Sequence, residues 1–246
     1  MKKRLLPPWV IENFISLFLA LLAVLAVRSS IVEPFKIPSG SMVPTLLVGD
    51  HIFVNKFSYG LKIPFSDWVL DHPVYLWKRD NPKRGDIIVF LFPKDEKVHF
   101  IKRVIGTPGD TIEIKDKVLY VNNKAMPQEP VTPDFSTKML KDIDEAKYDQ
   151  NSLEIKREKL DDVDHLLMLD KQYNFAADTY GPITVPPDNL FVMGDNRDFS
   201  NDSRFWGFVP MKNISGRAFV IWMNIWFSEW GEWPTFRYHR VGTWLK

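Results

Sequence analysis

Three short segments carry the side chains with which this chain can do covalent chemistry. The first is Pro38-Ser39-Gly40-Ser41-Met42. Gly40 permits a tight approach between two hydroxyls, and Pro38 and Pro44 stiffen the flanks, so Ser41 can be presented at a fixed angle with its backbone N–H free. The second is Phe100-Ile101-Lys102-Arg103-Val104-Ile105-Gly106, an apolar, strand-like run that ends in a Thr-Pro-Gly-Asp turn. On a regular strand Phe100, Lys102 and Val104 share a face. A lysine on such a face loses hydration, which disfavours the ammonium and lowers its pKa until the neutral amine can accept a proton. Moving it from ~10.4 to ~7.5 costs ~4 kcal/mol in differential solvation, so the site has to be substantially dry. The third segment runs from Gly194 to Arg204, where Asp195, Arg197, Asp198, Ser200, Asp202, Ser203 and Arg204 crowd between two apolar runs. Alternating Asp and Arg can build an ion-pair network, and a serine hydroxyl there can orient a neutral lysine amine. Taken singly, each segment also has a plainer reading: a proline-flanked loop, a lysine snorkelling to solvent, a surface loop.

The elements that must position these residues read as short strands. HIFVNKF, DIIVFLF, FIKRVIG, TIEI, VLYV, NLFVMGD and RAFVIWM are separated by Gly, Pro and Asp turns, an all-β pattern. Gly-Asp recurs at 49–50, 85–86, 109–110 and 194–195, where glycine supplies unusual dihedrals and aspartate can bond nearby backbone. TIEIKDKVLYVNN reads as a hairpin with Lys115 to Lys117 at the turn, although it lacks Asn-Gly or Asp-Gly. If Ile101 and Lys102 serve one site, strict alternation is broken there by a bulge or a strand end. Between Pro130 and Tyr180 the sequence turns charged and weakly periodic, compatible with helices, irregular strands or a flap. It is expected to form a solvated lobe inserted between core strands. No internal repeat is evident.

Composition excludes several function classes. The 246 residues are 45% hydrophobic, enough for a core, and 32 basic against 31 acidic side chains leave no excess charge for nucleic acid. The absence of cysteine removes disulfide, thiolate-metal and thiol-nucleophile chemistry. His51, His72, His99, His165 and His239 are scattered without metal-ligand spacing, so neither a metal nor a cofactor is expected. No GxSxG elbow is present, and His99 falls on the opposite strand face from Lys102.

The N-terminus reads as a membrane anchor. From Trp9 to Val27 the chain is apolar except for Glu12, Asn13 and Ser16. About nineteen residues at ~1.5 Å rise cover ~28 Å, close to the ~30 Å hydrocarbon thickness. Lys2, Lys3 and Arg4 would hold the preceding residues in the cytoplasm, sending everything after Arg28 across the membrane. The expected organisation is a cytoplasmic segment at 1–8, an anchor at 9–27, a catalytic β core at 28–109 and 188–246, and an inserted lobe at 110–187. A cleavable secretory signal is the alternative, opposed by the lack of a small-x-small pattern after Arg28.

In order and spacing, EPFKIPSGSMVPTLLVGD, PKRGDIIVF, FIKRVIGTPGD and GDNRDFSNDSRFWGFVP resemble the boxes of type I signal peptidases. The similarity covers most of the chain outside roughly 130–180. It implies a mainly β, signal-peptidase-like core and hydrolysis of the bond between a secretory signal peptide and the mature protein. Ser41 would be the nucleophile and Lys102 the general base, with no histidine in the dyad. The Ser41 N–H and the Ser39 hydroxyl would form the oxyanion hole, and Ser200 would orient Lys102. Asp202, Arg204, Asp195 and Arg197 match positions that support the site. Phe35, Ile37, Pro38 and Ile101 match positions lining shallow pockets that imply Ala-x-Ala cleavage. The implied partners are secretory preproteins, through the end of the signal peptide, and membrane phospholipid, met by Trp222, Trp226, Trp230 and Trp233 unless these tryptophans are strand core. The implied location is the bacterial cytoplasmic (inner) membrane with the catalytic part on its outer face, and the expected assembly is a monomer. The chain departs from the enteric form in showing one evident span and no cysteines. Two rivals stand beside this reading: a self-cleaving Ser/Lys protease, and a catalytically silent, membrane-tethered β-domain that binds exported chains.

Overall fold

The computed structural model describes residues 7–63, 66, 74–78, 80–143, 148–173, 178–226 and 233–245. Lys2, Lys3, Arg4 and Trp230 lie outside them. Helix α1 (Pro8–Ser30) covers 23 residues. Large apolar side chains are exposed all round it, among them Trp9, Phe14, Leu17, Phe18, Leu21 and Val24. Among the described residues, which omit the side chains at 8, 23, 26–28 and 30, no helix is long and apolar enough to cross a membrane.

The helix runs into an edge strand, β1 (Val32–Lys36), which pairs antiparallel with β2 (Asp50–Asn55). A short hairpin, β3 (Gly60–Lys62) with β4 (Tyr75–Lys78), follows. The strands β5 (Ile87–Phe92) and β6 (Asp95–Gly106) form the hairpin that carries the lysine segment. The chain then leaves the main sheet and returns through β14 (Asn189–Met193), β15 (Val209–Pro210) and the 13-residue β16 (Ile214–Trp226). The sheet order is β1-β2-β16-β5-β6-β14-β15, with β17 (Thr235–Phe236) and β18 (Thr243–Trp244) also paired to β16.

Both faces of this sheet are covered, which explains why DIIVFLF and FIKRVIG read as continuous apolar runs. Ile87, Val89 and Ile101 pack with Ile37, Met42 and Leu46 on one side. Ile88, Phe90 and Val104 pack with Leu190, Val192 and Ile214 on the other. The pairing corrects the expected bulge at Ile101 and Lys102. The β5–β6 ladder runs unbroken there, with Val89 opposite Ile101 and Ile88 opposite Lys102.

Between β6 and β14 the chain builds two smaller sheets. In one, β7 (Thr111–Lys115) and β8 (Val118–Val121) form the anticipated hairpin, flanked by β9 (Lys124–Ala125) and β13 (Tyr180–Thr184). Its two-residue turn is made without glycine: Asp116 and Lys117 take φ of 49° and 66° themselves. In the other, β10 (Gln128–Pro130) pairs β11 (Leu153–Leu160), which pairs β12 (Val163–Asp170). Helix α2 (Pro133–Leu140) precedes this hairpin. The charged stretch is therefore a helix and a strand pair, and it is not simply solvated. Ile155, Leu160, Leu167 and Met168 are buried, and so are Glu158 and His165. Ile143, Leu153 and Met168 pack against Val43 and Leu47, immediately after the Ser41 turn.

Candidate active site

The turn that carries Ser41 leaves β1 and is fixed from below. The Leu46 N–H donates to the Met42 carbonyl at 2.9 Å, and the Val43 N–H to that of Gly40 at 3.1 Å. Met42 and Leu46, fully buried, pin the turn to the core, while Ser41 stays half-exposed and Ser39 exposed. The two hydroxyl oxygens are 3.5 Å apart. Ile37 is buried and Pro38 exposed, Ile101 is 9% exposed, and Phe35 packs on the same cluster. Ile37 and Ile101 share the cluster that also holds Met42 and Leu46.

Lys102 reaches this turn from β6. Its Nζ lies 2.6 Å from Ser41 Oγ and donates to the Ile101 carbonyl at 3.1 Å. The residue is 4% exposed. Burial pushes its pKa down from the ordinary 10.5 to about 8, although Asp202 and Asp195 pull it back up. A lysine at about 8 beside a serine hydroxyl can take that proton at near-neutral pH, so the pair is competent for general-base activation of a nucleophile.

The third segment wraps behind the pair as two buried ion clusters. Arg103, fully buried, donates Nε to Asp195 Oδ1 at 2.8 Å, Nη2 to Oδ2 at 2.7 Å and Nη1 to the Gly85 carbonyl at 2.7 Å. The Thr45 hydroxyl donates to Asp195 Oδ2 at 2.5 Å. Burial alone would raise the Asp195 carboxyl, but Arg103, with lesser help from His165 and Thr45, holds it below the usual carboxylate range. Arg204 pairs with Asp202 through two contacts of 2.9 Å, and Asp202 Oδ2 accepts the Gly194 N–H at 3.0 Å. Arg197 turns the other way and pairs with Glu158 of the lobe, whose Oε1 also accepts from Gln128 at 2.9 Å. Among the described residues, no group of three or more His, Asp or Glu is placed to hold a metal ion.

A family model described as signal peptidase, peptidase S26, matches residues 10–223. The chain belongs to the signal peptidase, peptidase S26 family. A signal peptidase I from Buchnera aphidicola subsp. Acyrthosiphon pisum is 38% identical over 264 residues, with 96% of this chain and 82% of that protein covered. One from Pseudomonas aeruginosa is 41% identical over 229 residues, with 88% and 74% covered. A crystal structure of a signal peptidase I from Enterococcus faecalis V583 is 27% identical, with 56% of this chain and 97% of that one covered, at a TM-score of 0.33. This signal peptidase is therefore a serine endopeptidase, a hydrolase that removes signal peptides.

Within the peptidase, the structure brings Ser41, Lys102, Ser39, Ile101 and the Asp202–Arg204 pair into one region. Asp195 and Arg197 join it with different partners: Asp195 binds Arg103, and Arg197 binds Glu158. The expected Ser200 contact is not made. Among the described residues Ser200 Oγ is buried without a hydrogen-bond partner, and the Lys102 amine meets Ser41 and its own strand's carbonyl instead. Sequence reasoning passed over Arg103, Thr45, Asn196 and Gly194. Adjacency of Arg103 to Lys102, with an acidic partner in GDNRD, was the signal for the first. Gly194 is needed for space: a Cβ there would collide with Ser200 and with the Ser41 carbonyl.

Proposed function

We propose that Ser41 attacks the scissile carbonyl while Lys102, in its neutral form, accepts the hydroxyl proton, giving an acyl-enzyme that water then hydrolyses. The observation that carries this is the 2.6 Å approach of a buried, pKa-lowered amine to a half-exposed hydroxyl. As the carbonyl oxygen gains charge, the Ser41 N–H and the Ser39 hydroxyl stabilise it. Asp195, Arg197, Asp202 and Arg204 hold the geometry and take no part in bond changes.

The substrate binds extended. β1 is an edge strand with one partner, so a preprotein segment can add to it through main-chain hydrogen bonds. Phe35, Ile37, Pro38 and Ile101 then form shallow recesses that admit small side chains at the first and third positions before the cut, the Ala-x-Ala pattern. Helix α1 anchors the enzyme in the cytoplasmic membrane, with the β core on the outer face. Its 23 residues span ~34 Å at ~1.5 Å each, and its exposed apolar side chains need a non-aqueous partner. Trp233, 93% exposed, and the half-exposed Trp222 and Trp226 meet phospholipid.

Ser41→Ala and Lys102→Ala test the dyad. Each is expected to abolish cleavage of an Ala-x-Ala preprotein and labelling by a serine-acylating probe while the protein stays folded. Cleavage retained by either variant would reject the dyad.

A further inference from the structure

We propose that Asn196 is a positioning residue that aims the Ser41 N–H into the oxyanion hole, and that the inserted lobe holds Asn196 in place. The proposal rests on the assignment of Ser41 as nucleophile.

In a planar trans peptide the C=O and N–H point in opposite directions, so holding the Gly40 carbonyl sets the direction of the Ser41 N–H. Asn196 holds it. Its Nδ2 donates to the Gly40 carbonyl at 3.0 Å, and its own backbone N–H donates to the Ser41 carbonyl at 3.2 Å. Asn196 therefore grips the peptide units on both sides of Ser41, while the Ser41 N–H has no hydrogen-bond partner among the described residues. The orientation of the amide is fixed by chemistry: a carbonyl can only accept, so the NH2 must face it.

Asn196 is fully buried, and among the described residues its Oδ1 has no hydrogen-bond partner, an arrangement that lowers stability.

The grip depends on the lobe. The second Nδ2 hydrogen reaches the Tyr148 hydroxyl at 3.2 Å, and Tyr148 packs edge-on against Phe199. The Tyr148 hydroxyl lies so close over Gly40 that a Cβ there would strike it. On the other flank, β12 pairs with the Asn196 backbone: the Met168 N–H donates to the Asp195 carbonyl at 2.8 Å and the Arg197 N–H to the Met168 carbonyl at 3.0 Å. Tyr148 and Met168 both belong to the charged stretch between β6 and β14 that no catalytic role otherwise explains.

The test uses full-length enzyme in detergent, a peptide with an Ala-x-Ala site, and a peptide aldehyde ending in the same residues. The aldehyde's adduct with a serine carries the same oxyanion. For Asn196→Ala and the isosteric Asn196→Asp, kcat is expected to fall ~10- to 100-fold with KM within about threefold. The inhibition constant of the aldehyde should rise by the same factor as kcat falls, and in Asn196→Ala, which adds no charge, the pH limb set by Lys102 should not move. Tyr148→Phe, at the edge of the lobe, should reproduce the pattern at ~3- to 10-fold and serves if the Asn196 variants do not fold. The inference is overturned if kcat stays within twofold, or if kcat falls while aldehyde affinity is unchanged. Failure of the wild type to be acylated at Ser41 would instead sink the dyad itself, so the two failures are separable.

Discussion

Raising the pH through the titration of Lys102 is expected to switch hydrolysis on. With the amine at about 8, the neutral fraction is ~1% at pH 6, ~9% at pH 7, ~50% at pH 8 and ~91% at pH 9. For an Ala-x-Ala peptide, kcat/KM should therefore rise ~10-fold from pH 6 to 7, ~5-fold from 7 to 8 and less than ~2-fold from 8 to 9. Stopped assays in one detergent and at constant ionic strength read this directly. A limb near ~6.5 would point to a histidine base, and one above ~10 to a hydrated lysine; either refutes the mechanism. The same shift predicts a stability effect of definite sign. The unfolded chain keeps the ordinary 10.5, so between about 8 and 10.5 it binds the extra proton and stability rises with pH. Below about 8 both states are protonated, and the penalty for burying the charge is fully present. Its size is at most ~3 kcal/mol, from the drop from 10.5 to about 8 at ~1.4 kcal/mol per tenfold. Lys102→Met should accordingly gain ~1–3 kcal/mol in denaturant titrations at pH 7 while losing all activity, and the gain should vanish above ~10.5.

Two further perturbations probe the supporting clusters. Arg103→Met leaves Asp195 buried without its guanidinium partner and should lose ~3–5 kcal/mol, much of it recovered when Asp195→Leu is added; a loss below ~1 kcal/mol in denaturant titration would contradict the burial and geometry of this pair. Gly194→Ala forces the loop off the Ser41 carbonyl and should slow labelling by an acylating probe ~100-fold or more, so labelling at the wild-type rate would show that the close approach is not needed.

Much of the active-site geometry is written in local chemistry. Asp50, Asp86 and Asp110 each follow a glycine and accept the N–H three residues earlier, at 2.8, 3.0 and 2.7 Å, so Gly-Asp does punctuate strands as expected. At Gly194 the same dipeptide has another cause, the contact with Ser200 and Ser41, which depends on residues ~150 positions apart and leaves no local mark. Lys102 was legible because an ionisable residue inside an apolar run is anomalous. Arg103 stands in the same run and carries the same anomaly, but which acidic residue of GDNRD it meets depends on another strand's exit loop and is not local. In the lobe, β11 mixes Lys, Glu and Arg with few apolar residues, and Glu158 points inward only because Arg197 and Gln128 meet it there. No periodicity announces a buried charge of that kind. The bulge expected at Ile101 is absent because β5 pairs in regular register through Ile101 and Lys102, a partner the local sequence does not show.

The joint between α1 and β1 has a mechanical meaning. One residue, Ile31, separates them, and the Lys56 side chain clamps the joint, reaching the Ser29 carbonyl at 3.4 Å and Glu33 at 2.6 Å. With so short and stapled a link the catalytic body cannot swing freely. From Val32 to Ser41 the chain has at most ~30 Å of reach, at ~3.3 Å per residue. With α1 in the bilayer as proposed, this would cap the height of the nucleophile above the lipid, and the enzyme would act as a gauge, cutting chains within that reach of the membrane and passing over equivalent sequences farther out.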